Sequence, residues 1–269
     1  MSSRGERIPE ILAGFLTVLV LLVLYAPVLV SALFSVVTIQ RGTILWETFS
    51  LSSYATLWSN SSVLQALANT AIVAIASAAA ALLFGIALAF YTRSENAIGR
   101  RSIEVLIYLP FLLPPIVTGL SLLVTTSALG VGRGLFTVII GHTIFVLAVA
   151  YRLVSTRLAA LPPSLLEASA DLGASRWQTL RYVLLPHLAS SIVTGAILAL
   201  TLSFDETLIS TFVAGDQMTL PLRLWAMMRV GFTPEINALV TLVLITSIAL
   251  ALLAAWRLKP SWSEADSSD

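Results

Sequence analysis

Long apolar runs dominate the chain, and they do not alternate. Windows almost free of charge lie at residues 11–37, 69–91, 105–127, 135–151, 188–213 and 236–256. A helix needs about 20 mostly apolar residues to cross the hydrocarbon core of a bilayer. Lipid leaves no backbone polar group unsatisfied, so a spanning segment must be a helix or part of a closed barrel. Barrel strands alternate outward apolar with inward polar residues. Stretches such as Leu19-Val20-Leu21-Leu22-Val23-Leu24 do not alternate, so the pattern predicts six transmembrane helices.

Composition agrees with that reading. Of 269 residues, 58% are hydrophobic and 11% charged, with a mean hydropathy of +0.94. A soluble domain carries about 25% charged residues. The net charge of +1 gives no nucleic-acid footprint. The absence of cysteine excludes disulfides and thiol chemistry, and two histidines far apart, His142 and His187, argue against a metal site. A packed or hydrogen-bonded role suits His142, in the fourth span, better than a proton relay. The first run is too long for the apolar part of a cleaved signal peptide, about 7–15 residues.

Six spans put both termini on one side. With the N-terminus cytoplasmic, the inner segments hold Arg4, Arg7, Arg93, Arg100, Arg101, Arg152, Arg157, Arg176, Arg181, Arg257 and Lys259. The outer segments hold Arg41, Arg133, Arg223 and Arg229. The excess of basic residues on cytoplasmic loops favours this orientation.

Two features inside the spans bear on packing. Ser77, Ala81, Gly85 and Ala89 repeat at four-residue spacing in the second span, which lets a neighbouring backbone approach closely. The third span holds Pro110, Pro114 and Pro115, and an internal proline removes a backbone hydrogen bond and bends a helix. Such a break is tolerated against protein or a water-filled cavity, so this one reads either as a packing kink or as part of a translocation pathway.

The connection at about 155–187 is dense in helix punctuation. Ser164 and Glu167 are spaced as a capping box that would open a short helix, and Gly173 can supply the left-handed residue that closes it. Ser175 and Gln178 form a second such pair, and Pro186 is expected to end the second helix. The expected result is a helix–turn–helix along the membrane surface. Its first helix, about two turns long, is marginal without a docking partner.

This loop resembles the EAA signature of the membrane subunits of binding-protein-dependent ABC importers. Glu167-Ala168-Ser169 leads, Gly173 follows at the family's offset, and Val183 with Leu185-Pro186 closes it. Ser169 stands where the family has its second alanine, and Val183 where it has isoleucine. The resemblance implies the fold of a type I ABC importer permease: an all-α, six-helix membrane bundle, one domain over 1–269, with a polar tail at 257–269. It implies that the loop is a coupling helix docking on an ATPase subunit, with Glu167, Ala168, Ser169, Asp171, Leu172, Gly173, Leu185 and Pro186 as coupling residues. Glu167 could cap its own helix or meet a basic group on that partner. No G-x-x-x-x-G-K-[ST] phosphate loop is present, the nearest glycine cluster (Gly130, Gly132, Gly134) lacking the lysine. ATP and magnesium are therefore expected on the partner, and this chain is expected to be no enzyme and to hold no cofactor.

Beyond the signature, Ser203-Phe204-Asp205-Glu206, Phe212-Val213-Ala214-Gly215, Leu220-Pro221 and Pro234-Glu235-Ile236-Asn237-Ala238-Leu239 look like the second permease subunits of spermidine/putrescine importers. Carboxylates near a membrane helix usually face a cavity or a partner. Asp205 and Glu206 read as a solvated or packed helix end, or as a receptor for a cationic solute at the outer gate beside Phe204. Residues 222–230 suit an interfacial amphipathic helix or part of a binding-protein footprint. The expected assembly pairs this chain with a related permease, two ATPase subunits and a soluble binding protein in a bacterial inner membrane. An ion-driven secondary transporter would place carboxylates at the midplane and show internal repeats; neither is visible. No nucleophile–base pair or midplane carboxylate pair supports an intramembrane enzyme.

Overall fold

The computed structural model describes residues 4–40, 43–94, 96–230 and 234–257. In chain order the elements are α1 (Arg4–Phe34), a hairpin of β1 (Thr38–Gln40) and β2 (Thr43–Leu45), α2 (Ser52–Ser59), α3 (Ser61–Arg93), α4 (Arg100–Leu112) and α5 (Pro115–Ala128). Then come α6 (Leu135–Ala159), α7 (Pro163–Asp171), α8 (Arg176–Gln178), α9 (Leu185–Asp205), α10 (Leu208–Val213), α11 (Leu220–Val230) and α12 (Pro234–Arg257). Leu12–Phe34, Ser61–Arg93, Leu135–Ala159 and Arg176–Asp205 are each long and apolar enough to cross a membrane. The sixth expected span falls on α12, of which Pro234–Thr246 is a shorter apolar helix. Arg41, Lys259 and the polar tail beyond Arg257 lie outside the described residues.

The third expected span departs from a straight helix. It is two helices, α4 and α5, bent by 107°. The cause is local: the residue before a proline is pushed out of the α region into extended conformation. Leu113 precedes Pro114 and has ψ 146°, and Pro114 precedes Pro115 and has ψ 133°. Two successive extended residues end α4, and Pro115 opens α5 at a first-turn position, where a missing N–H costs nothing. Pro110 sits inside the last turn of α4. Phe111 stacks on Phe145 of α6 at 5.6 Å between ring centroids, which fixes the end of α4 near the break.

The chain divides into two compact units, Met1–Ser61 with Ala226–Asp269, and Ser62–Trp225. In the first, α1 and α2 both pack on α12. Ser31 Oγ donates to Asn237 Oδ1 at 3.2 Å, and Ser35 Oγ lies 2.7 Å from Tyr54 Oη. The hairpin pairs Thr38 with Leu45 and Gln40 with Thr43; neither it nor α2 is legible in the apolar pattern.

In the second unit α6 is the central helix, against which α4, α9 and α10 pack. The small-residue stripe of α3 is wholly buried. At Gly85 a Cβ would stand 3.0 Å from the Tyr151 backbone nitrogen and 3.2 Å from the Ala150 carbonyl carbon, so α3 and α6 touch backbone to backbone there. A second close approach holds α10: a Cβ at Gly141 would meet Ile209 Cγ2 at 2.6 Å, and one at Gly119 would meet Phe212 Cδ2 at 2.9 Å.

Between these contacts runs a buried polar chain through four helices. His142 of α6 lies fully buried, with Nδ1 2.8 Å from Ser203 Oγ of α9 and Nε2 2.9 Å from Ser210 Oγ of α10. Ser203 Oγ lies 2.9 Å from Ser77 Oγ of α3, which donates to its own Val73 carbonyl. Each hydroxyl has a single proton. With the Ser77 proton committed to Val73, the Ser203 proton must fill the Ser77–Ser203 contact. His142 then donates from Nδ1 to Ser203, while the Ser210 hydroxyl that meets Nε2 also donates to the Glu206 carbonyl at 3.3 Å. The histidine is a buried hydrogen-bonded connector, the role expected from sequence.

Hydrogen bonds between helices in lipid average about 0.6 kcal/mol and reach about 1.7, so His142→Ala is expected to cost about 1–3 kcal/mol. Thermal unfolding in detergent, followed by circular dichroism, checks this. Gly85→Ala should also lower the midpoint, because the neighbouring atoms are backbone and cannot move aside.

Candidate functional site

The segment between α6 and α9 is built as a rigid corner. Pro162 is the N-cap of α7 and Pro163 its first residue, where the fixed φ of proline suits a helix start. No side chain caps this end. The expected Ser164–Glu167 box is therefore not formed, because the proline pair starts the helix two residues earlier than that box requires. At the other end Gly173 adopts φ +76°. Gly173 N–H donates to the Ala170 carbonyl at 2.8 Å and Ala174 N–H to the Ser169 carbonyl at 3.1 Å. This pair is the Schellman closure, which requires a left-handed residue and so glycine. A Cβ at Gly173 would meet nothing within 4 Å, so its requirement is one of backbone conformation.

The expected second capping box is present. Ser175 N–H donates to Gln178 Oε1 at 2.7 Å, and Gln178 N–H to Ser175 Oγ at 3.3 Å. Ser169 Oγ lies 2.8 Å from Thr179 Oγ1, which itself donates to the Ser175 carbonyl. The Ser169 hydroxyl thus bridges the corner from α7 to the next helix. At 6% exposure Ser169 faces inward, and the hydroxyl that sets it apart from alanine has a structural task.

Pro186 does not end the second helix, contrary to expectation. Residues Arg176–Asp205 form one continuous helix, and Pro186 lies in the first turn of α9. The reason lies just upstream, where Thr179–Leu184 is π-helical. A proline removes one N–H and crowds the carbonyl four residues back; a π-helix uses the wider i→i+5 pattern. The chain passes the proline by widening.

The corner is fixed to the bundle at both ends. Leu161 and Leu184 are buried in one cluster with Tyr151, Leu158 and Leu188. Its outer face is apolar and uncovered: Leu172 is 88% exposed, and Trp177 and Tyr182 are exposed beside it. The Arg181 guanidinium lies 5.8 Å from the Tyr182 ring centroid. Ala168, Ser169, Leu172 and Gly173 line one cleft of about 480 Å³ with Gln178 and Tyr182. Glu167 and Asp171 are exposed on α7, and Glu167 borders a second cleft of about 990 Å³ that also holds Arg93, Arg100, Glu104 and Arg152. Leu185 is half-buried and Pro186 exposed on the next helix.

The other singled-out residues lie elsewhere in the fold. Pro110, Pro114 and Pro115 form the α4–α5 break. Phe204 and Asp205 end α9, and Glu206 follows in extended conformation. The two carboxylates differ: Asp205 is exposed, whereas Glu206 is buried and accepts from Ile209 N–H at 3.0 Å, holding the start of α10. Residues that sequence reasoning missed are Leu161 and Leu184, which anchor the corner, and Thr179; the Ser-x-x-Gln spacing was the one signal pointing to that junction.

Residues 81–258 match the family model described as "Binding-protein-dependent transport system inner membrane component". The chain is 32% identical over 240 residues to the spermidine/putrescine transport system permease protein PotC of Escherichia coli K12, covering 89% of this chain and 90% of that one. It is 34% identical over 243 residues to the putrescine transport system permease protein PotI of the same strain, covering 87% and 86%. Among solved structures, a bacterial ABC transporter involved in import of the acidic polysaccharide alginate superposes with TM-score 0.75 at 18% identity, over 96% of this chain and 99% of that chain. An inward-facing MetNI methionine ABC transporter gives 0.63 at 21% identity, over 76% and 95%. The chain belongs to the binding-protein-dependent transport system inner membrane components, as a multi-pass permease with the fold of ABC importer permeases.

Proposed function

We propose that this chain forms half of the translocation pathway of an ATP-driven importer for polyamines, coupled to its ATPase through the corner at 160–187. One observation carries the coupling role. A self-closed turn presents Leu172, Trp177 and Tyr182 to solvent, while Leu161 and Leu184 anchor the same turn in the bundle. An exposed apolar patch of this kind marks an interaction surface, and a stiff link lets a push on the patch move α6 and α9 together. Glu167, Ala168, Asp171 and Gly173 belong to the docking element directly. Ser169, Leu185 and Pro186 hold it in place.

In this reading the chain acts as one permease domain, with both termini cytoplasmic and the corner on the inner face. A related permease completes the pathway, and a soluble binding protein delivers the solute. Two ATPase subunits bind ATP and magnesium. The similarity to PotC and PotI supports a polyamine as that solute. The break at Pro110, Pro114 and Pro115 and the step at Phe204–Glu206 are the proposed pathway elements. Asp205 is the carboxylate free to meet a cationic amine, and Glu206 keeps α10 in place.

Uptake of labelled putrescine and spermidine by cells lacking the native chain tests both parts. Gly173→Val should cut uptake more than tenfold without loss of the inserted protein, because a β-branched residue resists positive φ. Asp205→Asn should raise the half-saturating polyamine concentration several-fold, whereas Glu206→Gln should act mainly on thermal stability. Full polyamine uptake in cells without the chain would reassign the solute. Wild-type uptake by Gly173→Val would remove the coupling role.

A further inference from the structure

We propose that residues 46–58 form an aromatic collar seated in the lipid headgroup boundary at the end of α1. Trp46, Phe49, Leu51 and Trp58 are 64, 66, 62 and 67% exposed. They surround α2, whose buried residues Ser53 and Leu57 face inward. Serines and threonines separate them, and Glu47 is the one charge between residues 43 and 60. Large apolar side chains exposed on a short segment need an environment other than water.

The height of the segment identifies that environment. The apolar part of α1, Leu12–Phe34, has 23 residues, or about 34 Å at about 1.5 Å per residue, against a hydrocarbon core about 30 Å thick. The last turn of α1 therefore emerges at a membrane boundary. The collar is bonded to that turn: Ser50 N–H donates to the Val36 carbonyl at 2.9 Å, and Ser35 Oγ meets Tyr54 Oη at 2.7 Å. The first turn of α12 is held at the same level by the Ser31–Asn237 bond. Packing of α2 on α12 occupies its inner face, so the aromatic face is the one left for lipid. Tryptophan is the residue most suited to this depth, with an apolar body and one N–H donor for the headgroup region. A protein partner is the competing occupant; the near absence of charge and the continuity with the lipid-exposed α1 favour lipid.

The chain contains no cysteine, so an introduced one is its single labelling site, and a transporter with the unsubstituted chain, treated alike, gives the background from other subunits. The transporter carrying Leu51→Cys is labelled, reconstituted in phosphatidylcholine vesicles, and its collision rates with oxygen and with a water-soluble nickel chelate are compared. A label at Leu22→Cys serves as the deep reference. The expected ratio of oxygen to chelate accessibility at position 51 is several-fold above that of an aqueous label and below that at position 22. The double variant Trp46→Ser, Trp58→Ser should shift position 51 toward the aqueous value. An aqueous ratio in the native background overturns the proposal. So does chelate protection that appears only when a soluble binding protein is added, which would make the collar a protein dock.

Discussion

Hydrocarbon offers a backbone no hydrogen-bond partner, and the design of this chain follows from where it breaks that rule. An uninterrupted helix satisfies itself, and α3, α6 and α9 do so over long runs. Three interruptions stand out among the described residues. At Leu113–Pro114 successive prolines force extended backbone and turn the chain by 107°. At Glu206 the chain leaves the helix, and the carboxylate takes up the Ile209 N–H that the start of α10 leaves unpaired. At Thr179–Leu184 the helix widens and so continues past Pro186. Each interruption coincides with a segment proposed to act in transport.

Rigidity elsewhere is what gives these interruptions a mechanical meaning. Backbone contact at Gly85 and the polar chain through His142 bind α3, α6, α9 and α10 into one body. The corner at 160–187 joins that body through Leu161 and Leu184. A displacement applied at Leu172 would thus be passed on to the helices that bear the proposed pathway elements. Closely packed interiors deform by discrete shifts and not by gradual yielding, which suits the coupling role proposed for the corner.

Much of this was legible in the sequence because it rests on local chemistry. Apolar runs marked the spans, the small-residue stripe marked the α3 contact face, and Gly173 marked the left-handed turn. Ser175 and Gln178 marked the cap. The failures have two physical origins, a rival local signal and a partner distant in the chain. Ser164 and Glu167 have the right spacing for a cap, but Pro162 and Pro163 start the helix first. Pro186 carries a strong local stop signal, which a π-helical widening several residues upstream overrides. The inward role of Ser169 depends on Thr179, ten residues away across a turn, and α2 is held by bonds to the end of α1. Long-range partners leave no periodicity to read.

The central claim is that the corner docks an ATPase subunit through its exposed apolar face. Retention of the ATPase subunits on the purified membrane chain tests it most directly, comparing native Leu172 with Leu172→Asp. Burying a leucine contributes about 1.5–3 kcal/mol, so the variant should lose retained ATPase by tenfold or more. Thermal stability of the membrane chain should be unchanged, since Leu172 touches solvent and not the core. Undiminished retention by the variant, with the protein folded, would contradict the account.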